Sequence, residues 1–298
     1  MRFFDFANLF NAPPDANGER SVVTRIGAKK YRMRSDDKYL DQIRGVFERD
    51  MVKLFDSLLR DGDCVLDIGA NIGCTSLLFS QRARQVYSFE PSPSTFRLLQ
   101  QNLNAANAGN VEAVNVGLGK SAGSFELTFS ADNRSGGFVS DRVQASAGHQ
   151  VEQIRIIDGD AWMREAQVGQ VDFIKIDVEG FEQHVIEGLA QTIERCKPVV
   201  VLELNHWSLN AFQRTSVPDF FDFLRGVFPL LYAVDRADMR NLHDPNDAYH
   251  VMYHHIVNNF RYPNLIGAFG ADRLPQRSKT WRPGSVPSDL TAFAGYTR

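Results

Sequence analysis

Hydrophobic residues follow a helical period in the first part of the chain. In "DKYLDQIRGVFERDMVKLFDSLLRDG" apolar residues recur every three or four positions, as one buried face of a helix requires. The residues of this face are Leu40, Ile43, Phe47, Met51, Leu54 and Leu58. We therefore predict that residues 1–60 contain a loop, "NAPPDANG", followed by helix, and that they form an N-terminal helical extension or lid.

From Cys64 onward, short apolar runs alternate with helical patterns. The predicted helices are "CTSLLFSQRA", "SPSTFRLLQQNLNAAN" and "FEQHVIEGLAQTIERC". The predicted strands are "CVLDIGA", "QVYSFEP", "VEAVNVGLG", "SFELTFS", "QIRIID", "VDFIKIDVEG" and "PVVVLELN", with the polar "ADNRSGG" as a separator. Such alternation predicts an α/β fold, with a mostly parallel sheet covered on both faces and right-handed crossovers.

After Trp207 the pattern is weaker. It favours a helix in "VPDFFDFLRGVF", a strand in "PLLYAVD" and a helix in "DAYHVMYHHIVNNF", where a last strand is the alternative. The segment 261–298 contains four prolines and little periodicity, so we predict an irregular C-terminal tail. Residues 61–260 then form the main domain.

Composition narrows the classes of protein. The 298 residues carry a formal net charge of −3, which argues against nucleic acid or an anionic membrane as a partner. No apolar run approaches the ~18 residues of a membrane helix. The aromatic start "MRFFDFANLF" lacks a cleavage site, and we interpret it as a docking or dimer-forming helix. The three cysteines lie in apolar contexts, which is typical of buried thiols in a reducing cytoplasm.

The stretch "DIGANIGCTS" follows the first predicted strand, where open parallel sheets bind ligands. It lacks the lysine of a phosphate-binding P-loop, and Asn71 occupies the middle glycine position of a dinucleotide fingerprint. Asp67 adds a negative charge that opposes phosphates and suits an ammonium group. S-adenosylmethionine has an ammonium, a sulfonium and no phosphate, so this loop favours the methyl donor over NAD or ATP.

Glu90 ends the second predicted strand, about 20 residues after Gly69. A carboxylate at this position can accept hydrogen bonds from both ribose hydroxyls. Because NAD enzymes share this acid, Glu90 indicates adenosine without choosing the cofactor.

Four strings, "VLDIGANIGCTS", "VYSFEPSPSTFRLLQQN", "VDFIKIDVEGFEQHVIEG" and "PVVVLELN", resemble the FkbM-type family of S-adenosylmethionine-dependent methyltransferases. The likeness runs from about Glu48 to Asn205. It implies a three-layer, Rossmann-like class I sheet of seven strands with an antiparallel last strand, and methyl transfer to a hydroxyl of a sugar or polyketide-like product. The cofactor contacts that it implies are Glu48, Asp67, Gly69, Ala70, Asn71, Gly73, Glu90, Pro91 and Asn115.

An alcohol must lose its proton to a base or a metal as it is methylated. Asp177 and Glu179 follow the fourth main strand, and His206 follows the fifth. Because parallel strands point their carboxyl ends to one edge, we predict these three as the catalytic acceptor pocket.

Three other features have less specific interpretations. Asp177, Glu203 and Asn205 resemble the Mg²⁺ ligands of catechol-type O-methyltransferases, but Glu203 could instead pair with Lys175, so the metal is the weaker alternative. We interpret Lys175 as one half of a structural ion pair with Asp177 or Glu203. His254 and His255 have no acid or cysteine at metal-ligand spacing, and we interpret them as structural.

The favoured function is therefore an O-methyltransferase acting on a hydroxyl of a sugar or glycoconjugate precursor. The first alternative is an O-methyltransferase for a polyketide-like or aromatic alcohol, with a pocket of Phe212, Phe220, Phe221 and Phe223. The second is a catalytically silent cofactor-binding module that scaffolds a biosynthetic partner. Methylation of nucleic acid fits least, because there is no N/D-P-P-[YF] loop and no basic stripe.

Overall fold

In residues 18–140, 148–258 and 260–274, which the computed structural model describes, the strands form three β-sheets. The strands are β1 (Arg20–Ile26), β2 (Lys29–Ser35), β3 (Gly45–Val46), β4 (Cys64–Ile68), β5 (Gln85–Phe89), β6 (Val111–Val114), β7 (Gly117–Gly119), β8 (Gly123–Ser130), β9 (Asn133–Val139), β10 (His149–Asp158), β11 (Phe173–Ile176), β12 (Val199–Glu203), β13 (Leu230–Asp235), β14 (Asp238–Asn241) and β15 (Asn264–Ala268). The α-helices are α1 (Tyr39–Ile43), α2 (Arg49–Leu58), α3 (Cys74–Phe79), α4 (Pro93–Ala105), α5 (Gly159–Glu165), α6 (Glu182–Gly188), α7 (Ala190–Cys196), α8 (His206–Ser208), α9 (Val217–Val227) and α10 (Pro245–Val257).

The main sheet has the order β14-β13-β15-β12-β11-β4-β5-β6. Strands β6, β5, β4, β11 and β12 are parallel, and β15 lies antiparallel between β12 and β13. The prediction of a mostly parallel sheet with an antiparallel last strand is confirmed. The sheet has an eighth strand beyond the predicted seven, because β14 forms an antiparallel hairpin with β13 at the edge.

Both faces of this sheet are covered, as the buried strand patterns predict. All five residues of β4 are buried, and successive side chains point to opposite faces. Leu66 and Ile68 therefore join a core cluster with α6, α7, α9 and α10, whereas Val65 joins a second cluster with α2, α3 and α4. The result is the predicted three-layer arrangement.

A smaller sheet of order β7-β10-β8-β9 lies beside the main sheet. It shows that two of the strand predictions were wrong. "VEAVNVGLG" is two strands in different sheets, because a turn after Val114 redirects the chain into β7. "ADNRSGG", predicted as a separator, instead contributes to β9, which pairs with β8 as a hairpin. Its polar residues are accommodated because Arg134 binds the carboxylate of Asp36 in the N-terminal region.

The N-terminal region is less helical than predicted. The hairpin β1–β2 occupies residues 20–35, and the predicted long helix is divided into α1 and α2. The division falls at Gly45, whose φ of +83° takes the chain out of the helix and into β3, which pairs with β1. Leu40, Ile43 and Phe47 are nevertheless buried as the pattern required. The aromatic start, residues 1–10, lies outside the described residues.

The C-terminal prediction also changes. Residues 264–268, within the predicted irregular tail, form β15 and complete the main sheet. "DAYHVMYHHIVNNF" contains the helix α10 and not the last strand. The rest of the predicted tail, residues 275–298, lies outside the described residues. None of the helices in the described ranges combines the length and the apolar character that crossing a bilayer takes.

Candidate active site

A cavity of about 330 Å³ lies at the carboxyl ends of β4, β5, β11 and β12. The loops that follow these strands form its floor, and α1 and α2 contribute Tyr39 and Glu48 to one wall. The smaller sheet contributes an apolar wall that includes Phe129 and Ile156. This edge of an open parallel sheet is where ligands bind in α/β proteins.

The glycine loop is held against the loop that follows β11. Gly69 has φ +78°, and a Cβ there would lie 1.9 Å from the main-chain oxygen of Asp177. Lys175 Nζ donates a hydrogen bond of 2.7 Å to the Gly69 carbonyl. Glycine is therefore required at this position by both the backbone conformation and the close approach.

Asp67 lies beneath the cavity and does not line it. Its side chain is fully buried and accepts hydrogen bonds from the hydroxyls of Thr75 (2.8 Å) and Ser76 (2.6 Å). Lys175 Nζ is 3.6 Å from its other oxygen. Gly73 also lies away from the cavity, where a Cβ would meet Leu99 at 2.7 Å. Asp67 and Gly73, both predicted as cofactor contacts, thus support the glycine loop from the side that faces away from the cavity.

Glu90 and Asn71 form one end of the cavity. The Glu90 carboxylate accepts hydrogen bonds of 3.0 Å from the backbone N–H groups of Asn71 and Ser92. Burial raises the pKa of Glu90 to about 7, although these two hydrogen bonds oppose the shift. Asn71 has φ +49°, and its buried Oδ1 has no hydrogen-bond partner within the described structure. An acceptor with no partner is therefore available to a ligand here.

The other predicted contacts at this end divide into two kinds. Ala70 and Pro91 line the cavity beside Asn71 and Glu90. Asn115 does not line it, because its amide donates to the carbonyls of Glu90 (2.8 Å) and Pro91 (3.1 Å). Asn115 thus supports the turn that presents Glu90.

Asp177 and Glu179 lie at the opposite end, beside Lys175. The Lys175 ammonium is buried and lies 3.3 Å from Asp177, as predicted for a structural ion pair. Burial alone would lower the pKa of Lys175, but the carboxylates of Asp177 and Asp67 outweigh it and raise this pKa. Lys175 is therefore a fixed positive charge between the two loops.

Glu179 is held by the segment that follows β12. One oxygen of its carboxylate accepts hydrogen bonds from Asn205 Nδ2 (3.1 Å) and Ser208 Oγ (2.9 Å). The backbone of Glu179 has φ +52°, and Gly180 lies so close to Ser208 that a Cβ would be 2.9 Å from its carbonyl oxygen. Burial, followed by the charge of Asp177, raises the pKa of Glu179 to about 7.

Glu203 lines the same end of the cavity and interacts electrostatically with both acids. Its Oε2 is buried and has no hydrogen-bond partner among the described residues. Burial, followed by the charges of Asp177 and Glu179, raises the pKa of Glu203 well above its usual range. Glu48 faces the group from α2, and desolvation followed by Asp177 raises its pKa as well.

His206 is not brought together with Asp177 and Glu179. Its backbone N–H donates to His255 Nε2 at 3.2 Å, and its ring lies 4.7 Å from that of Phe260, on the side of α10. Burial lowers the pKa of His206. His255 Nδ1 lies 2.7 Å from the Arg261 carbonyl oxygen, so this histidine is engaged within the structure, as its sequence context suggested.

The phenylalanine pocket does not assemble at the cavity, whereas the Mg²⁺ alternative stays a prediction. Within the described ranges, no group of three or more His, Cys, Asp or Glu side chains has the geometry to hold a metal ion. Of the three residues of that alternative, Asp177 and Glu203 line the cavity, and Asn205 Oδ1 accepts a hydrogen bond of 3.1 Å from the Ser208 N–H. Phe220 and Phe221, on α9, are buried in the core. The apolar wall of the cavity comes from the smaller sheet, which sequence patterning did not associate with the site.

Arg134, on β9, is a cavity residue that the sequence interpretation missed. Its guanidinium donates two hydrogen bonds of 2.8 Å to the Asp36 carboxylate and one of 2.6 Å to Ser94 Oγ, and it stacks over the Phe129 ring. It thereby ties the smaller sheet to the N-terminal hairpin and α4. Nothing in the local pattern marked it, because its partners lie about 40 and 98 positions away in sequence.

The sheet order, with an antiparallel last strand, and the cavity at the carboxyl ends of the parallel strands are those of a class I methyltransferase fold. A family profile described as the Methyltransferase FkbM domain matches residues 67–235, and the chain belongs to this family. The resemblance carried by the sequence motifs is thus confirmed.

Several known proteins are similar to this chain. Hexuronic acid methyltransferase AglP of Haloferax volcanii is 29% identical over 159 residues, which cover 52% of this chain and 61% of that protein. Methyltransferase 1 of Beauveria bassiana is 29% identical over 150 residues, covering 43% and 59%. The crystal structure of Methyltransferase FkbM from Methylobacillus flagellatus has a TM-score of 0.42 and 19% identity, covering 61% of this chain and 42% of that one. The chain spans about three fifths of the length of these curated relatives.

Proposed function

We propose that this chain is an S-adenosylmethionine-dependent O-methyltransferase that acts on a hydroxyl of a sugar or glycoconjugate precursor. The observation that carries the proposal is one cavity with a separate polar group at each end, Glu90 with Asn71 at one and Asp177 with Glu179 at the other. The similarity to a hexuronic acid methyltransferase supports a sugar-related acceptor.

The Glu90 end fits the cofactor. The buried, unpartnered Oδ1 of Asn71 is a free acceptor for a donor group of the ligand, and Glu90 retains lone pairs for ribose hydroxyls beyond its two backbone hydrogen bonds. Gly69, Ala70 and Pro91 line the same space. When bound, S-adenosylmethionine supplies a methyl group activated on a sulfonium.

The Asp177 end fits a hydroxyl acceptor. A carboxylate with a pKa of about 7 is suited to accepting a proton near neutral pH, and Glu179 has this value. Asn205 and Ser208 fix its orientation, and Lys175 fixes Asp177 beside it. We assign Glu179 as the general base and Asp177 as the group that orients the hydroxyl, and we leave His206 out because it does not line the cavity.

Apolar side chains line the space between the two ends. Phe129, Ile154 and Ile156 of the smaller sheet face it from one side, and Phe47 and Phe55 from the other. A dry, positioned arrangement is what an in-line displacement needs, since the enzyme mainly aligns the two reactants.

Transfer of isotope-labelled methyl from S-adenosylmethionine to a panel of glycosides tests the proposal, with the product bond identified by mass spectrometry. We expect O-methyl products, lost in Glu179→Gln and retained in Glu194→Gln, which changes an exposed glutamate of α7. Transfer to an amine with none to any hydroxyl would reject the assignment. Cofactor binding without transfer to any acceptor would favour the silent module.

A further inference from the structure

The acceptor end of the cavity has an excess of carboxyl groups over cations. Asp177, Glu179 and Glu203 line it, and Glu48 faces it from α2. The lining cations that the structure describes are Lys175 and Arg134. Lys175 is already paired with Asp177 and Asp67, and Arg134 is engaged by Asp36 and Ser94. Both cations are therefore already bound by groups of the protein.

This excess is separate from the carboxylate at the cofactor end. Glu90 follows β5, whereas Glu179 and Glu203 belong to the ends of β11 and β12. The sheet order β12-β11-β4-β5 places three strand spacings between β12 and β5, or about 14 Å. A ligand group that meets Glu203 is therefore a different group from one that meets Glu90.

Glu203 itself points to a ligand. Glu203 lines this end of the cavity, its carboxyl lies against that of Asp177, and its buried Oε2 accepts no hydrogen bond from the described residues. Crowding and desolvation oppose the charged forms of these carboxyl groups in the ligand-free site, which is why the pKa values of Glu203 and Glu179 are raised. A cation placed among them would offset the repulsion and favour the charged forms, whereas a further carboxylate would add to the repulsion.

We propose that the acceptor carries a protonated amine beside the hydroxyl that is methylated, as an amino sugar does, and that Glu203, with Asp177 beside it, binds this ammonium group while Glu179 accepts the hydroxyl proton. The inference rests on the proposed function for the identity of the acceptor. It differs from the acid substrate named for the similar archaeal protein, because a uronic acid would place a carboxylate against this group. Surrounding carboxylates keep the amine protonated, and without a lone pair the amine is not methylated in place of the hydroxyl.

Calorimetric titration with three matched methyl glycosides tests this inference without relying on turnover. The compounds are methyl glucosaminide, methyl glucoside and methyl glucuronide. We expect the amine to bind at least about tenfold more tightly than the neutral sugar, which corresponds to about 1.4 kcal/mol, and the acid to bind no more tightly than the neutral sugar. Equal binding of all three, preference for the acid, or no binding of the amine would overturn the inference.

Glu203→Gln identifies the group responsible, and Glu194→Gln is the matched control on the exposed face of α7. In Glu203→Gln the preference for the amine should fall to within about threefold, while the affinity for the neutral glycoside is retained. If the substitution weakens only S-adenosylmethionine binding and leaves the amine preference intact, the carboxylates serve the donor and the inference is wrong. Methyl transfer without amine preference overturns the inference alone, whereas amine binding without any transfer overturns the proposed function alone.

Discussion

Replacement of Gly69 by alanine tests the junction on which the cavity floor depends. The new Cβ would meet two costs: a left-handed backbone at φ +78°, and a distance of 1.9 Å to the carbonyl oxygen of Asp177. The first costs about 1–2 kcal/mol. The second requires backbone movement, since the obstacle is not a flexible side chain, and overpacking of this kind costs about 1–3 kcal/mol. We expect a loss of about 2–5 kcal/mol in the free energy of unfolding.

Two other glycines separate these costs in urea denaturation. Gly62 has φ +86°, and an added Cβ would have no atom within 4 Å, so Gly62→Ala should show the backbone cost alone. Gly226 lies in α9 with open space around it, and Gly226→Ala should stabilise by about 0.5–1 kcal/mol. If Gly69→Ala loses no more stability than Gly62→Ala, the loops after β4 and β11 do not approach each other as closely as the structure has them.

Three further substitutions test the charged groups. Lys175→Met leaves Asp67 and Asp177 without their cation, and it should lower the free energy of unfolding in urea by about 3–5 kcal/mol. The control Lys53→Met changes an exposed lysine and should lower it by less than about 0.5 kcal/mol. Equal losses would show that the ion pair of Lys175 is not buried. Ser208→Ala removes a hydrogen bond that lowers the pKa of Glu179, so this pKa should rise. Methyl-transfer activity at pH 6 should then fall roughly fivefold, while activity at pH 9 is retained. A uniform loss at both pH values, or the same effect in the surface variant Ser57→Ala, would refute the role of Glu179 as base. The pKa of Glu90 in the folded state, about 7, lies above its value in the unfolded state. The contribution of Glu90 to the free energy of unfolding should therefore fall as pH rises from about 4.5 to 7, by about 3 kcal/mol at most. Glu90→Gln should flatten the dependence of stability on pH over that range, and an unchanged slope would contradict the raised pKa.

The local features of the fold were predictable from the sequence. The glycine loop, the acid after β5 and the strand and helix alternation depend on neighbouring residues, and the structure has them where the pattern placed them. Strand β9 pairs with its neighbour β8, but its polar side chains depend on distant partners. Polar residues in β9 look like a loop until Asp36 and Ser94 are known to bind Arg134.

The roles of individual site residues were harder to predict for the same reason. Asp67 and Lys175 are register partners on adjacent strands, so Lys175 meets Asp67 beneath the cavity, but the sequence does not specify that register. Asn205 caps α8 by accepting from the Ser208 N–H, and this turn carries His206 toward α10 and away from the acids. Asp177 and Glu179 both follow β11 and line the cavity, whereas His206, which follows β12, lies past the cap and does not join them.

Calorimetric titration of the chain with S-adenosylmethionine decides which cofactor the cavity binds, with NAD and ATP as competitors and Glu90→Ala and Glu194→Gln as paired variants. We expect saturable binding of S-adenosylmethionine alone among the three, weakened at least about tenfold by Glu90→Ala and unchanged by Glu194→Gln. Binding of NAD or ATP in its place, or S-adenosylmethionine binding that is indifferent to Glu90, would contradict this expectation.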